Sequence, residues 1–137
     1  MTLETIKISR QLVNQLLHHA QSSPEAEVCG LVGGRNGLPT HCYPVRNSSG
    51  TPNSRFLLDA EGQIEAMKAM RENAETLFAI YHSHPTSPAE PSATDLELAA
   101  YPEVLYLIIS LNTKGVLEMR GFRLSNKESV VEVGLQL

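Results

Sequence analysis

The apolar run Leu77 to Tyr81 leads directly into His82-Ser83-His84-Pro85, and no other stretch constrains the fold of this chain as strongly. In an extended segment side chains alternate between faces, so residues two apart share a face. His82 and His84 can therefore reach one ion if they sit on a strand, whereas a helix would need a spacing of four. Pro85 lacks a ladder donor and stops the strand. With Pro88 and Pro91 it stiffens a loop that turns the chain back. That loop delivers Ser92 and Asp95, three apart and so on one face of the short helix expected over Ser92 to Ala100, which Pro102 ends.

Asp95 adds a hard oxygen to the two imidazoles. Three protein ligands leave one tetrahedral position open, which marks a catalytic zinc centre rather than a structural one closed by a fourth side chain. Water on such an ion ionises at a pKa of about 7, and a nearby carboxylate can take its proton. Glu27 is the candidate, because it stands where the apolar strand Val28 to Val32 begins, and a carboxylate buried there needs a partner or a task. Glu25 is its competitor two residues earlier, and adjacency to Cys29-Gly30 favours Glu27. Gly30, without a side chain, would let a neighbouring segment pass close beside this strand.

Glu27-Val28-Cys29-Gly30-Leu31, then His82-Ser83-His84-Pro85, Ser92 and Asp95 together resemble the JAMM motif of the MPN-domain metallopeptidases. Arg46-Asn47 and Phe56-Leu57-Leu58-Asp59 are also similar to the short prokaryotic members, so the likeness covers nearly the whole chain. The resemblance implies a Zn2+ ion held by His82, His84 and Asp95, Glu27 as general acid/base, and Ser92 as a hydrogen-bond donor to the tetrahedral oxyanion. The insertions with which eukaryotic deubiquitinating relatives grip ubiquitin chains are missing. The short relatives act on small ubiquitin-like sulfur carrier proteins, which implies hydrolysis of an amide bond after a C-terminal Gly-Gly of such a carrier.

Blander readings of the same residues compete with this one. His82 and His84 could be two solvated or core histidines at a strand end, but the downstream Ser92 and Asp95 in register favour ligands. Ser92-x-x-Asp95 is also a variant capping box, and the two roles are compatible. Cys29 as a nucleophile would make a cysteine peptidase, yet no electropositive setting for a thiolate is visible. His18, His19 and His41 read as surface or partly buried residues. A catalytically silent scaffold or binding module of the same fold for a ubiquitin-like protein would be expected to lose ligand residues, and all are present here. A DNA-repair relative would bring a helical DNA-binding domain and a basic face, both absent.

The 137 residues suit one domain over 1–137, and 42% hydrophobic with 19% charged residues is the composition of a soluble globular protein. Met1 to Ser9 has no signal-peptide character, and the longest apolar run, Val104 to Ile109, is far short of a membrane span. Cys29 and Cys42 form no CxxC pair, consistent with a reducing, cytoplasmic setting. A net charge of −4 with scattered basic residues argues against nucleic acid. A homodimer is left open.

Patterning predicts strands at Thr5 to Ile8, Val28 to Val32 closed by Gly33, Gly34 and Asn36-Gly37, a hairpin signal into Leu38 to Val45, and, briefly, Phe56 to Leu58. Further strands are expected at Leu77 to Tyr81, Val104 to Leu111, Val116 to Leu124 and Ser129 to Leu137, the last two separated by a Ser125-Asn126-Lys127 turn. Helices are expected from Arg10 to Gln21 and from an Asp59 cap to about Glu75, with an apolar stripe of Ile64, Met67, Met70 and Ala74. Asn47 to Ser54 reads as the one clear flexible loop. The fold class is α/β (α+β): an MPN-like mixed β-sheet flanked by helices.

Overall fold

The structure is a computed structural model that describes residues 4–99, 101, 103–112, 117–126 and 129–137. Strands β1 (Thr5–Lys7), β2 (Cys29–Arg35), β3 (Leu38–Val45), β4 (Thr76–His84), β5 (Leu105–Ser110), β6 (Glu118–Asn126) and β7 (Ser129–Gln136) alternate with helices α1 (Arg10–Gln21), α2 (Ala60–Glu72) and α3 (Ala93–Leu98). Among the described residues the strands form one seven-stranded sheet in the order β1-β7-β6-β5-β4-β2-β3. The β1/β7 and β4/β5 pairs are parallel and the others antiparallel, so the sheet is mixed, as expected.

Local chemistry explains most of the boundaries. Ser9 caps α1 by accepting from the Leu12 amide, and Leu12, Leu16 and Ala20 form its buried stripe. Asn36 and Gly37 take φ of 53° and 77°, the left-handed pair that a tight hairpin turn between β2 and β3 requires. Gly30 meets the expectation of close approach, since a Cβ there would lie 2.5 Å from the Tyr81 hydroxyl and 2.6 Å from the Tyr43 carbonyl.

Several expected elements differ. β2 does not close at Gly33 and Gly34 but runs through them to Arg35, absorbing register shifts on both sides. Phe56 to Leu58 is not a strand. Leu58 makes one isolated bridge to Asn47, and the Leu57 amide is taken by the Asn47 side chain. The loop expected to be flexible is tied down: Asn47 and Ser49 side chains accept from the Ser49 and Thr51 amides, and the Pro52 carbonyl accepts from Glu27.

α2 stops at Glu72 rather than near Glu75. Ala74 turns left-handed with φ 55°, the Glu75 amide donates to the Met70 carbonyl, and the Ala74 amide donates to Arg71, a Schellman end. Glu75 then drops into the protein, where its carboxylate accepts from Thr40, His41 and Tyr43. Its stripe also differs. Ile64 and Met67 are exposed, while Ala66 and Met70 are buried, because the small Gly62 and Ala66 let the helix lie close against the sheet at Val45.

The sequence-expected end of α3 at Ala100 and Pro102, the start of β6 at Val116, and Lys127 of the expected turn lie outside the described residues. Ser125 and Asn126 belong to β6 rather than to a turn. One apolar layer joins α1 to one face of the sheet through Leu12, Leu16, Tyr81 and Leu107, and a second joins α2 to the other face through Met70, Ile80 and Ile108. Every residue of β5 is buried, which matches an interior strand. Among the described residues no helix is long and apolar enough to cross a membrane.

Candidate metal centre

The end of β4 gathers the residues singled out in the sequence. β2 pairs antiparallel with β4, with Cys29 opposite His82. One step further, the Ser83 amide donates to the Val28 carbonyl at 3.0 Å, and the Val28 amide donates to Ser83 Oγ at 2.9 Å. Directly opposed residues face the same side, so this register places Glu27 beside His84, on the face that carries His82. Ser83 points the other way and locks the register with its hydroxyl. The crossover between parallel β4 and β5 contains α3, which brings Asp95 over the same spot.

The ligand atoms converge. His82 Nε2 lies 3.0 Å from His84 Nε2, and Asp95 Oδ2 lies 3.1 Å and 3.0 Å from the two nitrogens. A tetrahedral zinc with bonds of about 2.0–2.1 Å separates its ligands by about 3.3 Å, so this triangle has nearly the required size. Glu27, His82 and His84 each offer a ligand atom within 4.8 Å of the others. All four side chains belong to buried residues.

Neighbours fix the orientation of each candidate ligand. His84 Nδ1 sits 2.8 Å from the Pro88 carbonyl, which can only accept, so Nδ1 donates there and the ring is held with Nε2 turned to the centre. The loop bearing Pro88 is held by buried Ala89 and by a 2.7 Å bond from Ser110 Oγ to the Ser87 carbonyl. Phe56 stacks on His82 with ring centroids 4.3 Å apart. Ser92 and Asp95 form the anticipated capping box: Ser92 Oγ accepts from the Asp95 amide, and Asp95 Oδ2 accepts from the Ser92 amide.

The charges are arranged to meet a cation. Burial raises the Asp95 pKa, but the hydrogen bonds of His82 and His84, with the His82 charge and the Ser92 amide, outweigh it and hold the carboxyl well below the usual range. Burial lowers the His82 pKa more than its hydrogen bond and the charge of Asp95 restore it. His84 is also lowered by burial, yet its bonds to Asp95 and the Pro88 carbonyl raise it overall. Glu27 is pushed up to about 7, mainly by burial, with Asp95 adding and His84 opposing.

These residues fit a zinc ion. Two imidazole nitrogens and one carboxylate oxygen about 3 Å from one another are placed to share a cation between them, and an N2O donor set suits zinc. Glu27 Oε1 is buried without a hydrogen-bond partner among the described residues, a cost that a water facing it from the ion would remove.

The competing residues are placed elsewhere. Glu25 is exposed. Cys29 is buried with its thiol against the Val45 carbonyl, and burial together with the Glu27 charge pushes it up to about 12, which rules out a ready thiolate. His19 Nδ1 lies 2.7 Å from the Tyr81 hydroxyl, and His41 pairs with Glu75. Phe56 and Ser83 stood in the quoted motifs with no role assigned to either, and the Pro88 carbonyl, as a backbone group, leaves no sign in the sequence; all three shape the centre.

Known proteins share both the sequence and the fold. The profile of the prokaryotic homologues of the JAB domain matches residues 9–124. The chain is 32% identical to the CysO-cysteine peptidase of Mycobacterium tuberculosis over 125 residues, 90% of this chain and 85% of that protein. It is 34% identical to the desampylase of Haloferax volcanii over 116 residues, 80% of this chain and 84% of that protein. A solved protein of Desulfitobacterium hafniense superposes with a TM-score of 0.83 at 36% identity, covering 96% of this chain and 92% of its own. A JAB1/MPN domain protein of Archaeoglobus fulgidus shares the fold, with a TM-score of 0.57 at 20% identity over 96% of this chain and 97% of its own. With a matching profile over most of its length and peptidases among its relatives, the chain belongs to the prokaryotic JAB-domain family of JAMM/MPN metallopeptidases.

Proposed function

We propose that residues 1–137 act as one catalytic domain, a zinc-dependent peptidase that hydrolyses the amide bond after the C-terminal Gly-Gly of a small ubiquitin-like sulfur carrier protein. The observation that carries this reading is the triangle of His82 Nε2, His84 Nε2 and Asp95 Oδ2, with the unpartnered carboxylate oxygen of Glu27 beside it. Relatives named CysO-cysteine peptidase and desampylase support the choice of substrate class.

In this reading His82, His84 and Asp95 hold Zn2+, which supplies Lewis acidity to polarise a carbonyl and acidify water. Glu27 receives a proton from the attacking water on its carboxylate and returns it to the leaving amine. Its position near neutrality suits both halves of that transfer. Glu27 would be held in its ionised form beside a cation bound by these three residues, ready to act first as base. Ser92 Oγ already accepts from the Asp95 amide, so its own proton is free to point outward to a developing oxyanion.

Ser92→Ala separates the capping role from the catalytic one. Loss of an oxyanion donor lowers kcat by about 10²-fold or more with little change in KM. Loss of a cap alone costs about 1 kcal/mol and leaves turnover of the folded fraction intact. Thermal melting and kcat measured on the same variant distinguish the two.

Substrate class is tested with a ubiquitin-like carrier ending in Gly-Gly, extended by a short peptide. The zinc-loaded protein is expected to cut after the second glycine, and replacing the penultimate glycine by leucine is expected to block it, since a tail without Cβ atoms threads a narrow cleft. Cleavage indifferent to that glycine would make this a general peptidase. Zinc binding with no hydrolysis of any fusion would leave the scaffold reading.

A further inference from the structure

The Glu27 carboxylate has to be held still, yet Glu27 lies outside the sheet: β2 begins at Cys29, so no ladder fixes its backbone. Its two main-chain groups are held instead by the segment 47–54. The Glu27 amide donates to the Pro52 carbonyl at 2.7 Å, and the Glu27 carbonyl accepts from Asn47 Nδ2 at 3.0 Å.

Asn47 does more than close this contact. Its Nδ2 also donates to the Arg55 carbonyl at 2.9 Å, and its Oδ1 accepts from the Ser49 amide at 3.0 Å and the Leu57 amide at 3.0 Å. Four hydrogen bonds are all that a side-chain amide can make with two donors and two lone pairs, and Asn47 makes all four. They join three separate segments: Glu27, two residues before β2, the turn at 49, and the stretch 55–57. That last stretch carries Phe56, whose ring stacks on His82. The bridge between Asn47 and Leu58 adds backbone pairing to the same junction.

We infer that Asn47 is a positioning residue of the catalytic centre, whose side-chain amide sets the place of Glu27 through the Glu27 carbonyl and the seat of Phe56 on His82 through residues 55 and 57. This rests on the hydrolase reading above and extends it to a residue that touches neither substrate nor metal. The three metal ligands stand on β4 and α3, which Asn47 does not contact through any of these four bonds. Its one route to the triangle is indirect, through Phe56 against His82, so Asn47 is expected to act on turnover far more than on metal affinity. Misplacing a catalytic group by about 1 Å can cost on the order of 10²-fold in rate.

The two halves of the amide can be separated. Asn47→Asp keeps an oxygen for the Ser49 and Leu57 amides and removes both donors, while Asn47→Ala removes everything. The zinc-loaded full chain is assayed on a fluorogenic peptide ending in Gly-Gly-7-amido-4-methylcoumarin, with zinc affinity by chelator competition, amide hydrogen exchange, and the 13C resonance of the Glu27 carboxyl. Asn47→Asp is expected to retain exchange protection at Ser49 and Leu57. Its kcat is expected to fall about 10–100-fold, with KM and zinc affinity within about threefold of wild type and the Glu27 resonance displaced. Asn47→Ala is expected to lose the same turnover together with the amide protection.

Unchanged kcat in Asn47→Asp would show that Asn47 only orders the loop and would overturn the inference, as would a loss of zinc affinity in step with kcat. A wild-type protein that binds zinc but leaves the peptide uncut would count against the hydrolase reading. The Glu27 resonance decides the positioning claim even then, because an unmoved signal in both variants would refute it and a displaced one would support it.

Discussion

Glu27→Gln is expected to lower kcat by about 10²–10⁴-fold, the usual contribution of a positioned acid/base group, while zinc content and KM stay near wild type. The substitution preserves shape and removes a carboxyl beside the triangle whose pKa lies near neutral pH. Zinc content is expected to survive because Glu27 stands apart from the tight His82, His84 and Asp95 contacts. Zinc analysis and single-turnover rates on the same sample test this. A variant that stops binding zinc would make Glu27 a ligand, and one that turns over normally would move the base elsewhere.

The same substitution changes stability in a pH-dependent way when metal is removed. The Glu27 pKa in the folded protein, about 7, lies above the ordinary 4.5, so folding takes up a proton in between. The stabilisation from the protonated carboxyl is complete below about pH 4.5 and is lost as pH rises toward 7. Chelator-treated Glu27→Gln is therefore expected to gain about 1–3 kcal/mol on wild type at pH 8 relative to pH 5, read by denaturant unfolding. The opposite trend would mean that the carboxylate is ionised and satisfied in the metal-free protein.

Asp95→Ala is expected to reduce zinc affinity by more than about 100-fold, beyond what loss of an outer-shell partner of a ligand causes. Asp95 is the only negative charge in the triangle, and both imidazole Nε2 atoms lie within 3.1 Å of its Oδ2. The change also breaks the capping box of α3, worth about 1 kcal/mol, so a small loss of stability without metal is expected as well. Asp95→Asn controls for this, because it keeps a side-chain oxygen to accept from the Ser92 amide but not the charge. Chelator competition at fixed pH measures both variants. Zinc affinity preserved in Asp95→Ala would remove Asp95 from the ligand set.

Much of this protein is legible in its sequence, for reasons of local geometry. The two-residue spacing of His82 and His84 demands a strand, Pro85 ends it, and Ser92-x-x-Asp95 opens a helix at a fixed distance. These are properties of neighbouring residues, and the structure places all three donors within 3.1 Å of one another. Helix starts at Ser9 and Asp59 were equally readable, because a cap is a bond between a side chain and an amide three residues away.

What the sequence could not contain is the packing of segments far apart along the chain. The stripe Ile64, Met67, Met70 and Ala74 fits helical spacing, yet Ile64 stays exposed because the sheet beneath α2 admits the small Gly62 and Ala66 side instead. The loop 47–54 is polar and carries Gly50 and Pro52, the composition of a mobile segment, but Asn47 ties it to residues 27, 55 and 57. Burial of Glu27 is likewise a tertiary fact. Nothing local raises its pKa; folding against β4 and α3 removes it from water and sets it near His84 and Asp95. The proposed ligand set was thus written in spacing along one strand and one turn, whereas the burial of Glu27 and its ties to Asn47 and Pro52 arose only when folding brought separate segments into one desolvated place, where solvent no longer screens their charges.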